Sequence, residues 1–244
     1  MGTSQSFFAT TGRSIKAIGI LTFTAMVFWL GGATRVHAQN FQVGGYFTPV
    51  FPRGEFKENV SNNGYGGGGF FLVRLGDSPL MAGGDFGIVV YGSETHEEPI
   101  STTIPSVIVN VRTSNNIFLG HALLRMQPRS GPILPYLDGL IGMKHLFTMT
   151  TISDDFSVDP IASTTNLSDT AFSYGVGAGV QVPLFSPKSG GGIMLDGSVR
   201  YLRGGRADYL RKGSIHEVNG QAFFDVFSSR TDVIAVQIGV TFRF

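Results

Sequence analysis

Eight ionisable residues share one placement rule. Arg74, Asp85, His121, Arg125, Asp138, Lys144, Asp196 and Arg200 each stand on the polar parity of a segment whose alternate positions are apolar. Alternation with a period of two is that of a β-strand, so all eight are expected on one side of a sheet and the apolar row on the other. Three arginines and a lysine facing three aspartates make ion-pair chemistry, given turns that bring their strands together. A turn centred near 131 or 132 sets Arg125 opposite Asp138, and one near 188 or 189 sets Gln181 opposite Asp196. A turn near 79 is expected to bring Arg74 close to Asp85. Opposite charges facing one another across strands stabilise register. The other chemistry such a row supports is a charge-lined path for ions.

Other motifs are weaker. Catalysis needs a base within reach of a nucleophile. Of His96, His121, His145 and His216 only His121 shares the inward parity, beside Arg125. Asp154, Asp155 and Asp159 are oxygen ligands of the kind calcium takes, though loop acids are more often simply solvated. Gly64, Gly66 and Gly69 match G-x-G-x-x-G without the strand-turn-helix context of a phosphate cradle. No catalytic, metal or cofactor-binding residue is expected, and no cofactor.

The segments that carry these residues read as strands. Val233 to Phe244 has an unbroken apolar row at Ile234, Val236, Ile238, Val240, Phe242 and Phe244, interleaved with Gln237, Gly239, Thr241 and Arg243. Seven earlier segments alternate in the same way. They are Phe41 to Pro49, Gly66 to Leu75, Gly83 to Tyr91, Val107 to Gln127 with a bulge expected at Asn115-Asn116, Leu134 to Thr148, Ala171 to Leu184, and Gly192 to Leu202. Their connections alternate between long polar stretches (53–63, 94–105, 153–169, 204–230) and short turns (76–81, 128–133, 185–191).

The first 38 residues read as a secretory signal peptide: Arg13 and Lys16, an apolar run from Ala17 to Leu30, then Val36-His37-Ala38 with small residues at the cleavage positions. Cleavage is expected after Ala38, leaving one domain, 39–244. Its loss removes three of the 18 Lys+Arg and none of the 17 Asp+Glu, so the remainder is faintly acidic and nucleic acid is not an expected partner. The absence of cysteine excludes a disulfide framework and a lipidated N-terminal cysteine. No apolar run after residue 38 reaches the roughly 20 residues of a helical span. A chain with these strands enters a bilayer only as a closed barrel, since open sheet edges find no partner in lipid.

The fold class predicted is therefore all-β: an eight-stranded antiparallel up-and-down transmembrane barrel with short periplasmic turns and long external loops, in the outer membrane of a Gram-negative bacterium. With Val240-Thr241-Phe242-Arg243-Phe244, Tyr174-Gly175-Val176-Gly177-Ala178-Gly179-Val180 and Leu134-Pro135-Tyr136-Leu137-Asp138-Gly139 in place, the chain resembles the small outer-membrane β-barrel proteins, similar to the transmembrane domain of outer membrane protein A and its eight-stranded relatives. That resemblance implies a terminal assembly signal at Val240, Phe242 and Phe244, read by the barrel assembly machinery. A monomer without enzymatic activity is expected, in contact with outer-membrane lipid and lipopolysaccharide. The expected role is a surface protein with a plugged polar lumen and external loops for envelope structure or binding. The alternatives are a narrow pore or transporter for small or lipophilic solutes, and a barrel-embedded lipid-modifying enzyme.

Replacing Phe244 with Asp is expected to lower the folded, membrane-inserted fraction in cells more than Gln237→Asp does. Equal losses would refute the assignment of the even row to lipid.

Overall fold

The computed structural model describes residues 41–101, 104–153, 161–185, 191–218 and 221–244. The signal peptide and the Asp154, Asp155 and Asp159 cluster lie outside the described residues. Eight strands close into a barrel: β1 (Phe41–Pro52), β2 (Gly64–Arg74), β3 (Leu80–Ser101), β4 (Ile104–Met126), β5 (Leu134–Ser153), β6 (Ala162–Phe185), β7 (Gly192–Gly204) and, after a long connection, β12 (Val233–Arg243). Every neighbouring pair is antiparallel, and β1 pairs with β12 from Gln42↔Arg243 to Pro52↔Val233, which shuts the ring.

Burial follows the parity of the sequence. On β1, Gln42, Gly44, Tyr46 and Thr48 are buried while Val43, Gly45 and Phe47 are exposed. On β12 the odd positions Val233, Ala235, Gln237 and Thr241 are buried and Ile238, Val240 and Phe242 are exposed. The exposed row continues round the ring through Phe71, Phe86, Ile88, Phe118, Leu124, Leu137, Ile141, Phe172, Val176, Leu195 and Val199. An exterior this apolar is incompatible with water and matched to lipid.

The interior is less polar than the sequence alone suggests. Leu72, Met81, Leu119, Leu123, Leu140, Leu146 and Leu202 are buried beside the inward ions. Glycine supplies the space these large groups need. A Cβ on Gly179 would collide with the Tyr136 ring, and one on Gly177 would stand 2.7 Å from Arg200 Cγ. The repeated glycines of β6 are thus seats for side chains from β5 and β7.

Two expectations change. Among the described residues, the long polar stretches at 94–105 and 153–169 are almost entirely strand: β3 to β6 run 22, 23, 20 and 24 residues, where a tilted span needs about 9–11. Their pairing continues through Glu94↔Thr113 and Glu98↔Val109, Asn110↔Ser153, and Ile152↔Ala162. Threonine, β-branched, suits a half-exposed strand, so polarity there marks a sheet standing in water. The bulge expected on β4 at Asn115-Asn116 belongs to the facing strand, since Val90 pairs with Asn116 and Gly92 with Asn115, leaving Tyr91 as the extra residue.

The external mouth is covered. Helix α1 (Gly54–Asn59) and the hairpin of β8 (Arg206–Tyr209) with β11 (Phe227–Arg230) meet there. Phe56, Tyr91 and Tyr209 pack edge to face with centroids 5.7, 5.1 and 6.5 Å apart. Tyr91 donates to Leu210 O at 2.9 Å. The remainder of that connection forms a second hairpin, β9 (Ile215–Val218) with β10 (Gln221–Phe224).

Gly179→Val is expected to destabilise the barrel by about 1–3 kcal/mol through overpacking against Tyr136. Gly197→Ala, where a Cβ meets nothing within 4 Å, is expected to stay near wild type. Urea unfolding of the refolded protein in detergent measures both.

Candidate functional site

The inward charges meet at the middle of the barrel. Arg125 donates from Nε and Nη2 to the two oxygens of Asp138 at 2.8 and 3.0 Å. Arg200 donates to the same Asp138 Oδ2 at 3.1 Å and, from Nη1, to Asp85 Oδ2 at 2.8 Å. Arg125 Nη1 lies 3.7 Å from Asp196 Oδ2. The result is a ladder, Asp85–Arg200–Asp138–Arg125–Asp196, in which Arg125–Asp138 joins neighbouring strands and the other three links cross the lumen between strands not adjacent in the ring. Aromatic rings flank it, with the Arg125 guanidinium 3.6 Å from the Tyr136 centroid and 4.8 Å from that of Phe70.

Neutral donors complete the carboxylates. Tyr46 OH donates to Asp85 Oδ1 at 3.0 Å, and Tyr136 OH to Asp196 Oδ1 at 2.5 Å. Gln181 and Thr241 bond Asp196 Oδ2 at 2.7 and 3.1 Å. Both oxygens of Asp85, Asp138 and Asp196 are engaged in this way, and removing any one partner of such a buried network is costly. Below the ladder, Gln42 donates to Gln127 Oε1 at 3.0 Å and Gln127 to Gln181 Oε1 at 2.9 Å, a chain of amides across the periplasmic end.

Arg74 and Lys144 stand apart from the ladder, which corrects their expected grouping with the aspartates. Arg74 pairs with Met81 and Asp85 with Phe70, so Asp85 falls four residues past the position that faces Arg74. Arg74 donates instead to the carbonyls of Ser78 and Gln127, each at 3.3 Å. Lys144 is fully buried at the other end and donates to the carbonyls of Leu202, at 3.1 Å, and Thr231. Arg125↔Asp138 and Gln181↔Asp196 are directly opposed, as the turn positions imply.

His121 Nε2 lies 3.0 Å from Ser173 Oγ, in a pair that resembles a base and its nucleophile. The surrounding hydrogen bonds argue otherwise. Ser173 donates its hydroxyl to Arg203 O at 3.1 Å, so the imidazole nitrogen serves as donor to serine, the reverse of activation. Ser173 is also wholly buried. His145 points outward, bonded to Thr170 at 2.8 Å and stacked on Phe147. Among the described residues no cluster of three metal-ligating side chains occurs.

An apolar exterior and a closed ring around a buried ion network reverse the arrangement of a water-soluble protein. The chain is an eight-stranded outer-membrane β-barrel. No protein-family model and no curated protein matches its sequence. Among solved structures, neisserial surface protein A is 14% identical with a TM-score of 0.43, covering 84% of this chain and 97% of that one. Ail of Yersinia pestis is 17% identical at 0.38, covering 84% and 97%. A major outer membrane protein of Thermus thermophilus is 12% identical at 0.43, covering 84% and 99%. Likenesses this distant carry no functional argument, and the barrel's assignment stands on its own faces.

Tyr46, Tyr136, Gln42 and Thr241 complete the network without having been singled out as site residues. Parity alone places each of them inward, but only the closed ring supplies partners from strands distant in sequence.

Asp138→Asn is expected to cost about 3–5 kcal/mol, since it takes from buried Arg125 its bidentate carboxylate and from buried Arg200 one of its two. Asp77→Asn, whose partner Arg129 lies half-exposed, is expected to leave stability near wild type, as surface pairs contribute little. Chemical unfolding of the refolded barrel distinguishes the two.

Proposed function

We propose that this barrel is a non-enzymatic surface protein whose lumen is plugged and whose external sheet presents a binding surface. The observation that carries this is the asymmetry of strand length. Strands β1, β2, β7 and β12 have 11 to 13 residues, while β3 to β6 have 20 to 24. About ten extra residues per strand add roughly 30 Å of sheet, at about 3.3 Å per residue, on one side of the barrel. Spanning a membrane does not require that sheet.

Its chemistry suits contact with water and with other polypeptides. Hydroxyl and amide side chains link neighbouring strands: Thr113 to Thr150 at 3.0 Å, Asn166 to Thr150 at 2.7 Å, and Thr148 to Asn115 at 2.7 Å. Strand β2 stops pairing with β3 at Val90, and β7 stops pairing with β6 at Ser173. Beyond those points no strand pairs with the outer edges of β3 and β6 among the described residues. An open edge offers main-chain donors and acceptors to an extended segment of a partner, which adds as a further strand.

The plug reading rests on the filled interior. A barrel of eight strands is just wide enough for its own side chains, and here an ion ladder, an amide chain and an apolar cluster occupy it together. A narrow conducting pore is the alternative this arrangement opposes.

Planar-bilayer recording of the refolded protein is expected to show no steady open channel, and sustained conductance would overturn the plug. Trimming the two long hairpins to membrane length is expected to leave a heat-modifiable barrel while cell-surface binding to host or neighbouring cells falls to background. Binding that survives the trimming would refute the role of the sheet.

A further inference from the structure

The external surface also carries a cleft of about 440 Å³ that neither the lumenal network nor the long sheet explains. That volume is in the range of small-molecule sites. Three separate parts of the chain build it. The end of α1 and the stretch after it contribute Asn59, Ser61 and Asn62, the base of the β3 extension contributes Tyr91 and Glu94, and the turn before β9 contributes Arg211 and Lys212. The bulge matters here, because the extra residue at Tyr91 breaks the β3 register just below Glu94.

The basic turn is held rigidly over the cleft. Gly213 adopts φ +76°, a left-handed conformation that favours glycine. Ser214 N donates to Arg211 O at 3.1 Å and Arg211 N to Ser214 Oγ at 3.2 Å. Gly213 N donates to Glu94 Oε2 at 3.1 Å, tying the turn to β3. The Arg211 guanidinium sits 4.1 Å from the Phe227 ring centroid and donates to Asn59 O at 3.4 Å. Both cations remain exposed, while Glu94 is occupied by Gly213 and by His96 Nε2 at 3.0 Å.

Two cations against one engaged carboxylate leave the cleft with a net positive charge. Its other polar lining consists of primary amides and a hydroxyl, groups that both donate and accept, as sugar hydroxyls do. We propose that the cleft binds an acidic saccharide, a sugar bearing a carboxylate, sulfate or phosphate, of about disaccharide size. Lys212 and Arg211 take the anionic group as charge-assisted donors, and Asn59, Ser61 and Asn62 read the ring hydroxyls. Pre-ordering of the turn lowers the entropy cost of binding. Of the open-edged sheet this site uses only the base, at Tyr91 and Glu94.

The test is calorimetric titration of the full folded barrel in detergent with digalacturonate, a sulfated lactose and neutral lactose. Both acidic probes are expected to bind, lactose at least about ten-fold more weakly, and affinity for the acidic probes to fall as salt rises. Lys212→Gln is expected to weaken acidic-probe binding about ten-fold, as loss of a charge-assisted contact does, with heat-modifiable migration confirming that the variant is folded. Glu94→Gln keeps an acceptor for Gly213 and removes a repelling charge, so it is expected to tighten binding several-fold. Equal affinity for lactose, an unchanged Lys212→Gln, or no binding of any probe would overturn the proposal. In liposomes, displacement of digalacturonate by added lipopolysaccharide identifies the membrane's own sugars as the source, and undisturbed binding identifies a soluble polysaccharide. Trimming the β3–β4 hairpin only beyond the Glu94–Thr113 pair, which keeps the wall of the cleft, is expected to leave digalacturonate affinity unchanged, so failure of the sheet's role and failure of this site are separable.

Discussion

No group in the hydrocarbon of a bilayer will hydrogen-bond a peptide, and the structure is organised by that constraint. A sheet in lipid must satisfy all its own backbone groups, so β1 has to meet β12. Nine residue pairs run between them, from Gln42↔Arg243 to Pro52↔Val233. Once that seam closes, every strand has a lipid side and a lumen side, and each residue's parity becomes its environment. Phe242 and Ile238 face outward because Thr241 and Gln237 face inward.

Closure then creates the second problem, a narrow interior that receives one face of all eight strands. Large groups fit there only beside absent ones. Tyr136 lies over Gly179 and Arg200 over Gly177, which accounts for glycine alternating with valine and alanine along β6. The charges fit only by sharing partners. Asp138 accepts from both Arg125 and Arg200, and Asp196 accepts from Tyr136, Gln181 and Thr241. Such a network contributes little net stability, because desolvation offsets attraction, but a register that separated the partners would strand buried charges at high cost.

The lumen holds the charged network and the outer wall is apolar, which leaves the external end. There the chain departs from barrel symmetry. Four strands continue well past membrane length, the connection between β7 and β12 folds back over the mouth, and a bulge at Tyr91 marks where β3 leaves the ring. Phe56, Tyr91 and Tyr209 join the cap to the apolar layer of the lumen. The same three rings thus pack together at the mouth and adjoin the elements that line the external cleft.

Most of what depends on neighbours along the chain or across a tight turn was legible in the residues alone. Parity placed all eight candidate residues inward, and the turns near 131 and 188 set Arg125 opposite Asp138 and Gln181 opposite Asp196. Arg74 was misjudged, because a shift of a few residues in a turn centre moves the facing residue by twice as many. Polar strand at 94–105 and 153–169 read as loop, because threonine and serine signal exposure while pairing with β4 and β5 decides whether exposed backbone forms a sheet. The folded barrel was needed for the contacts across the ring: Tyr46 with Asp85, Arg200 with Asp85 and Asp138, Lys144 with Thr231, and Tyr91 with Leu210. Period and spacing encode which side of a sheet a residue takes. Its partner across the lumen follows only from closure, which brings together residues far apart in the chain.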